Sequence, residues 1–273
     1  VVECLRRAYS LRFRKQLGQH MLVDERFASM FAEVVDEGSV VYEIGCGLGS
    51  LTLPLSRVAS YVFCSEIDPS LVKLLKECRG GMGKVDVVLT DAVFFTTSKS
   101  RHVVVSNTPF YLSSRIIAML CRDASLVYAV LGIQREVGER MLAPPGTSIY
   151  GRLSILTQLC FSVEKLFTIP REAYKPRPHV ETVVVKLIPR KELSPESIEA
   201  VESFTRSVFP YRRKKLSTGI VLGYGLKKEE VRRILSESGV DPDKRVDEIS
   251  PDEALSLALK FSLTSRGLST PRG

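Results

Sequence analysis

Five short apolar runs, interleaved with amphipathic stretches, constrain this chain more than any other feature. VVYEIG (40–45), YVFCSEI (61–67), VDVVLT (85–90), HVVVSN (102–107) and LVYAVLGIQ (126–134) are rich in β-branched residues and almost continuously apolar. Strands in a parallel sheet read this way, because crossover helices cover both faces and neither face needs polar residues. Between the runs, LTLPLSRVAS and DPSLVKLLKECRG carry apolar residues at helical spacing. The alternation predicts a doubly wound α/β sheet. After the fifth run, SVEKLFTIP and ETVVVKLIPR are two more strands, joined through the Pro-rich YKPRPH, which predicts an antiparallel finish.

Beyond Pro189 the composition changes. SPESIEAVESFTRSVF, LKKEEVRRILSESG and SPDEALSLALKFSLT are helically periodic, and two of them begin with Ser-Pro, an N-cap followed by a first-turn proline. Two domains follow: 1–190 holding the sheet and 191–273 all-helical, ending in a frayed tail. No apolar run approaches the roughly 20 residues of a membrane span, and VVECLRRAYSLRFRKQ has no signal-peptide core. The six cysteines are scattered, without a CxxC pair or a histidine cluster, which predicts reduced buried thiols in a cytoplasmic protein and no metal centre. A net charge of +8 favours a polyanionic partner.

The first strand runs into EIGCGLGSLT (43–52). Gly45, Gly47 and Gly49 allow a tight turn and close approach of backbone to ligand. Dinucleotide enzymes use a similar device, but here the spacing is GxGxG, and Ser50 stands where the dinucleotide fingerprint has its third glycine. Glu66, at the end of the second strand, is placed to hold ribose hydroxyls. Asp91, after the third, is placed for an adenine amino group. The competing reading is a tight turn with two helix-capping acids. With Asn107, all these groups fall at carboxyl ends of parallel strands, where such folds bind ligands.

Taken in order, the motifs resemble the KsgA-type ribosomal RNA adenine dimethyltransferases. KQLGQHMLVD (15–24) is similar to the family's K-x-x-G-Q-[N/H]-F-L-x-[D/N], EIGCGLGSLT to E-I-G-P-G-x-G-x-L-T, and SNTPFYLSS (106–114) to N-L-P-Y-N-I-S-S. QREVGERMLAPPGTSIYGRLSI, YKPRPHVETVVV and PYRRKKLSTGI match later segments, so the likeness covers nearly the whole chain. It implies a Rossmann-like class I methyltransferase sheet with a small C-terminal helical domain, and S-adenosyl-L-methionine as cofactor. It implies cofactor contacts at His20, Leu22, Gly45, Glu66, Asp91 and Asn107, with Gln19 and Gly47 as additions. It also implies a monomer that dimethylates adjacent adenosines in a hairpin loop of small-subunit rRNA, on the immature small ribosomal subunit. A large-subunit rRNA adenine methyltransferase and a non-catalytic binding factor on the same fold are the alternatives. Met21, Cys46, Phe110 and Tyr111 depart from the family's aromatic, proline, tyrosine and asparagine.

The exocyclic nitrogen of adenine is a poor nucleophile, because its lone pair is delocalised into the ring. The Asn107 side-chain oxygen and the Thr108 carbonyl can each accept one of its hydrogens and aim the lone pair at a methyl donor. Pro109 stiffens the turn that makes the two acceptors converge, and Phe110 offers a face for the extruded base. For the RNA itself, the densest positive run is Arg212, Arg213, Lys214 and Lys215. The N-terminal arm (Arg6, Arg7, Arg12, Arg14, Lys15) and the pair Lys175 and Arg177 are further candidates for phosphate binding.

Overall fold

The computed structural model describes residues 20–78, 84–91, 100–190 and 193–267. The five apolar runs form the parallel strands expected of them: β2 (Val40–Ile44), β3 (Tyr61–Glu66), β4 (Val85–Leu89), β5 (His102–Asn107) and β6 (Leu126–Gln134), preceded by a two-residue β1 (Met21–Leu22). The later pair forms β7 (Phe161–Ile169) and β9 (Thr182–Pro189), with a short β8 (Tyr174–Lys175) between them. The main sheet has seven strands in the order β4-β3-β2-β5-β6-β9-β7. Pairing is parallel from β4 to β6 and antiparallel between β6 and β9. The order reverses between β2 and β5, and that switch point opens a crevice at the strands' carboxyl ends.

Buried aliphatics on one face of the sheet hold this unit together. Val41, Val62, Val87, Val103, Val105 and Val130 pack in one core with Leu55 and Leu75 from the crossover helices Thr52–Val58 and Pro69–Cys78. The first described helix, Glu25–Glu33, starts at Asp24, whose carboxylate accepts the Arg26 N–H at 3.0 Å. Its Phe31 and Ala32 join the same core.

The chain divides into two compact units, Val1–Gly138 with Ser162–Pro189, and Glu139–Phe161 with Arg190–Gly273. The break at 189/190 coincides with the change in composition. The second unit also takes in Glu139–Phe161, which the order of motifs groups with the sheet. Its side chains explain the membership. Tyr150, Ile155 and Leu159 are buried in one cluster with Val201, Phe204, Leu257 and Phe261. The Tyr150 hydroxyl donates to the Ile249 carbonyl at 2.9 Å. Both Ser-Pro helices begin as expected: Ser194 accepts the Ser197 N–H, and Ser250 and Glu253 cap each other reciprocally.

Candidate active site

A cavity of about 230 Å³ lies at the carboxyl ends of β2, β3 and β5, within the first unit. His20, Leu22, Gly45, Gly47, Glu66, Asp91, Asn107, Thr108 and Pro109, nine residues expected at the site, all line it. They come together because the parallel strands β2, β3, β4 and β5 end at one level and deliver residues to the same crevice, to which β1 adds His20 and Leu22. Gln19 and the N-terminal arm lie outside the described residues, as does the side chain of Phe110.

The glycine loop turns as its composition requires. Gly45, Gly47 and Gly49 have φ of 72°, 55° and 78°, a region costly for residues with a Cβ. At Gly47 a Cβ would also stand 2.8 Å from the Met21 sulfur. Met21, in place of the family's aromatic, packs with Leu48 and Leu71 in a small cluster of its own.

Glu66 does more than the sequence indicates. One carboxylate oxygen accepts the Gly47 N–H at 2.8 Å; the other accepts the Ile67 and Asp68 N–H groups at 2.9 and 3.0 Å. It therefore ties the glycine loop to the end of β3, as well as facing the cavity. Burial raises its pKa above the ordinary value, against the pull of those three donors.

Glu43 opens the glycine-loop motif but is not among the site residues expected from the sequence. It is 2% exposed on β2, lines the cavity, and its Oε2 lacks a hydrogen-bond partner among the described residues. Burial, opposed by Thr52 and reinforced by the Glu66 charge, pushes its pKa up to about 7. Three carboxyl groups (Glu43, Glu66, Asp91) thus share a wall with Leu22, Leu51 and Ile67, and Arg115 is the one lysine or arginine among the lining residues. An acceptor-rich, partly apolar pocket with an orphaned carboxyl oxygen suits a nucleoside that carries positive charge. The residues fit S-adenosylmethionine.

The thiol expectation needs correction at four positions: Cys46, Cys64, Cys121 and Cys160 are all disulfide-bonded. Cys46, in the glycine loop, and Cys64, on β3, form a disulfide. The βαβ crossover returns β3 beside β2, so residues 18 apart in sequence become neighbours there. Glu43, Cys46 and Cys64 present their ligand atoms within 4.8 Å of one another, but sulfurs joined to each other are not thiolate ligands.

The Asn-x-Pro-Phe segment leaves β5 with Thr108 donating its N–H to the Gly132 carbonyl at 2.8 Å. Pro109 then starts a 3₁₀ turn, Phe110–Leu112, which feeds the helix Ser113–Leu120. Tyr111 stands at the cavity rim, 56% exposed, and burial of the remainder together with Asp91 raises its pKa. Arg115 lines the same wall one helical turn further on.

Two stretches far apart in sequence close the site. β1 pairs antiparallel with β8, Leu22 opposite Tyr174 and Met21 opposite Lys175. His20 Nδ1 lies 2.8 Å from the Pro176 carbonyl and donates to it in that tautomer. The Tyr174 hydroxyl reaches Asn107 Oδ1 at 3.1 Å.

In the second unit, the four-residue basic run is not uniform. Arg212 donates to the Ser148 carbonyl at 2.7 Å, and Lys215 pairs with Asp243 at 3.0 Å. Arg213 and Lys214 are exposed, and their side chains make no such interaction among the described residues. In the first unit, Arg177 pairs with Glu172.

Residues 10–262 match the family model described as ribosomal RNA adenine dimethylase. The chain is 34% identical to the ribosomal RNA small subunit methyltransferase A of Geobacillus sp. (strain WCH70), across 93% of this chain and 94% of that protein. It is 33% identical to the protein of the same name from Bacillus thuringiensis (strain Al Hakam), across 92% and 91%. Among solved structures, it is similar to a dimethyladenosine transferase from Plasmodium falciparum, with a TM-score of 0.74, 27% identity, and coverage of 90% of this chain and 98% of that one. It is also similar to the 23S rRNA methyltransferase ErmE, with a TM-score of 0.63, 25% identity, and coverage of 89% and 99%.

Proposed function

The chain belongs to the ribosomal RNA adenine dimethylase family, and from that premise we propose how its cavity methylates adenosine N6 in small-subunit rRNA. The observation that carries the reading is a convergence. Asn107 and Thr108 open onto the same cavity as the glycine loop, Glu66 and Asp91, so acceptors for an amino group face a pocket suited to a charged nucleoside.

S-adenosylmethionine, when bound, supplies the electrophilic methyl. Gly45 and Gly47 leave room for it against bare backbone, Glu66 and Asp91 accept from its hydroxyl and amino groups, and His20 and Leu22 close the pocket from β1. Asn107 Oδ1 and the Thr108 carbonyl accept the two hydrogens of the target amino group and turn its lone pair toward the methyl. The amine becomes acidic only as the new bond forms, so no strong base is required; positioning and fixed dipoles carry the rate. Phe110 stacks the extruded base.

The RNA is held by charge. Arg213 and Lys214 are free to meet phosphates, whereas Arg212 and Lys215 already have partners. The relatives named small subunit methyltransferase A support small-subunit rRNA as the substrate; the hairpin-loop target, the immature small subunit, action as a monomer and a cytoplasmic setting belong to the same proposal. Methylation of immature small subunits with labelled cofactor, followed by mapping of the modified bases, tests it. Label confined to large-subunit rRNA would transfer the assignment to the ErmE-like activity.

A further inference from the structure

We propose that Tyr174 is a positioning residue for methyl transfer, its hydroxyl fixing which edge of the Asn107 amide faces the substrate. The inference rests on the assignment of Asn107 as the acceptor for the target amino group.

An asparagine amide has two edges of nearly equal shape and opposite function. Its oxygen accepts hydrogen bonds, while its nitrogen donates two. Rotation by half a turn would set N–H groups against the amino group of adenine and abolish the alignment. Neither the strand nor the proline that follows prevents this rotation. The surroundings of Oδ1 do. The Tyr174 hydroxyl lies 3.1 Å from it and, as a donor, is satisfied by oxygen. Tyr174 is itself 3% exposed, and burial raises its pKa against hydrogen bonds with Thr182 and Asn107, so the phenol stays protonated; Thr182, a hydroxyl that can donate as well as accept, leaves the phenol hydrogen to Asn107 Oδ1. A carbonyl oxygen has two lone pairs, and one remains for the substrate.

Strand β6 approaches Oδ1 as well. Gly132, on β6, is the register partner of Asn107, and a Cβ there would come within 3.0 Å of Oδ1 and 3.1 Å of the Phe31 ring. The oxygen thus has a bare Cα and a phenol as close neighbours. Tyr174 is anchored in turn, because β8 pairs with β1, the strand that carries Leu22 to the cofactor pocket. The Val23 N–H closes the same clasp on the Ala173 carbonyl at 2.8 Å.

Tyr174→Phe removes the hydroxyl and little else. We expect kcat to fall about tenfold, as when one net hydrogen bond is removed at the reacting group. The KM for RNA, the affinity for S-adenosylhomocysteine and the melting temperature should stay near wild-type values. In N107D both edges are acceptors, so adding Y174F should cost less than about twofold, a non-additivity that a double-mutant cycle reads directly. An unchanged kcat in Y174F overturns the proposal. So does an equal loss in the N107D background, or a loss of kcat accompanied by falling cofactor affinity and melting temperature. The assignment beneath it has its own control: if N107A methylates at the wild-type rate, Asn107 is not the acceptor, whatever Y174F does.

Discussion

Glu43 offers the most quantitative test of the cavity's electrostatics. The carboxyl is 2% exposed, Oε2 has no partner among the described residues, and the Glu66 charge adds repulsion. Its pKa in the folded protein is pushed up to about 7, from the ordinary 4.5. At about 1.36 kcal/mol for each tenfold change in proton affinity, that difference corresponds to about 3 kcal/mol. The sign follows from linkage. The folded state holds this proton more tightly than the unfolded state, so the stabilisation is complete below pH 4.5 and is lost as pH rises through about 7. Glu43→Gln keeps the shape and removes the titration. Between pH 4.5 and pH 8 the wild type should therefore lose about 3 kcal/mol relative to E43Q, and the variant should be the more stable at pH 8. Urea unfolding of both proteins across that range measures the difference, and carbon NMR of the Glu43 carboxyl measures the midpoint. S-adenosylmethionine should lower the midpoint more than S-adenosylhomocysteine, whose sulfur is uncharged. A midpoint below 5, or a stability difference independent of pH, would refute the reasoning and mean that the carboxylate is solvated in place.

Asn107→Ala should retain the melting temperature and lose about 10²–10³ in single-turnover methylation, as when one preorganised polar group is removed from a reacting centre; a near wild-type rate excludes the role. Glu66→Ala should weaken S-adenosylhomocysteine binding by about 2–3 kcal/mol, because the substitution removes both the hydrogen bond from the Gly47 N–H of the glycine loop and the acceptor for the ligand. Calorimetry giving the same affinity for both proteins would place the ribose site elsewhere. Neutralising Arg213 and Lys214 should flatten the log–log salt dependence of RNA binding by about 0.7 for each single-strand phosphate no longer neutralised. The same change at Arg212 and Lys215 should act mainly on the melting temperature, since those two already serve the fold. Filter binding and melts on both double variants separate the cases, and equal salt slopes for wild type and R213A/K214A would remove this run from the RNA site.

The parts of this protein written in its sequence are those set by local physics. Continuous β-branched runs between amphipathic segments specify parallel strands, and three glycines at alternate positions specify a loop with positive φ. Acids and Asn107 placed just at strand ends fall at one level of the sheet because every parallel strand points the same way. The Ser-Pro starts at 194 and 250 needed only their own first turns. What the tertiary structure decided depends on encounters between residues distant along the chain. Tyr174 meets Asn107 because β8 pairs with β1 beside the end of β5, and no spacing in YKPRPH encodes that meeting. Cys46 and Cys64 become neighbours only when β3 returns beside β2, and Glu43 gains its raised pKa only once the crossover helices exclude water. The segment Glu139–Phe161 joins the helical unit through Tyr150, Ile155 and Leu159, whose apolar faces could serve either core until Val201, Phe204 and Phe261 are folded beside them. Among four consecutive cations, two became structural because a carbonyl at 148 and a carboxylate at 243 came within reach, which is a property of folded distance, not of charge count.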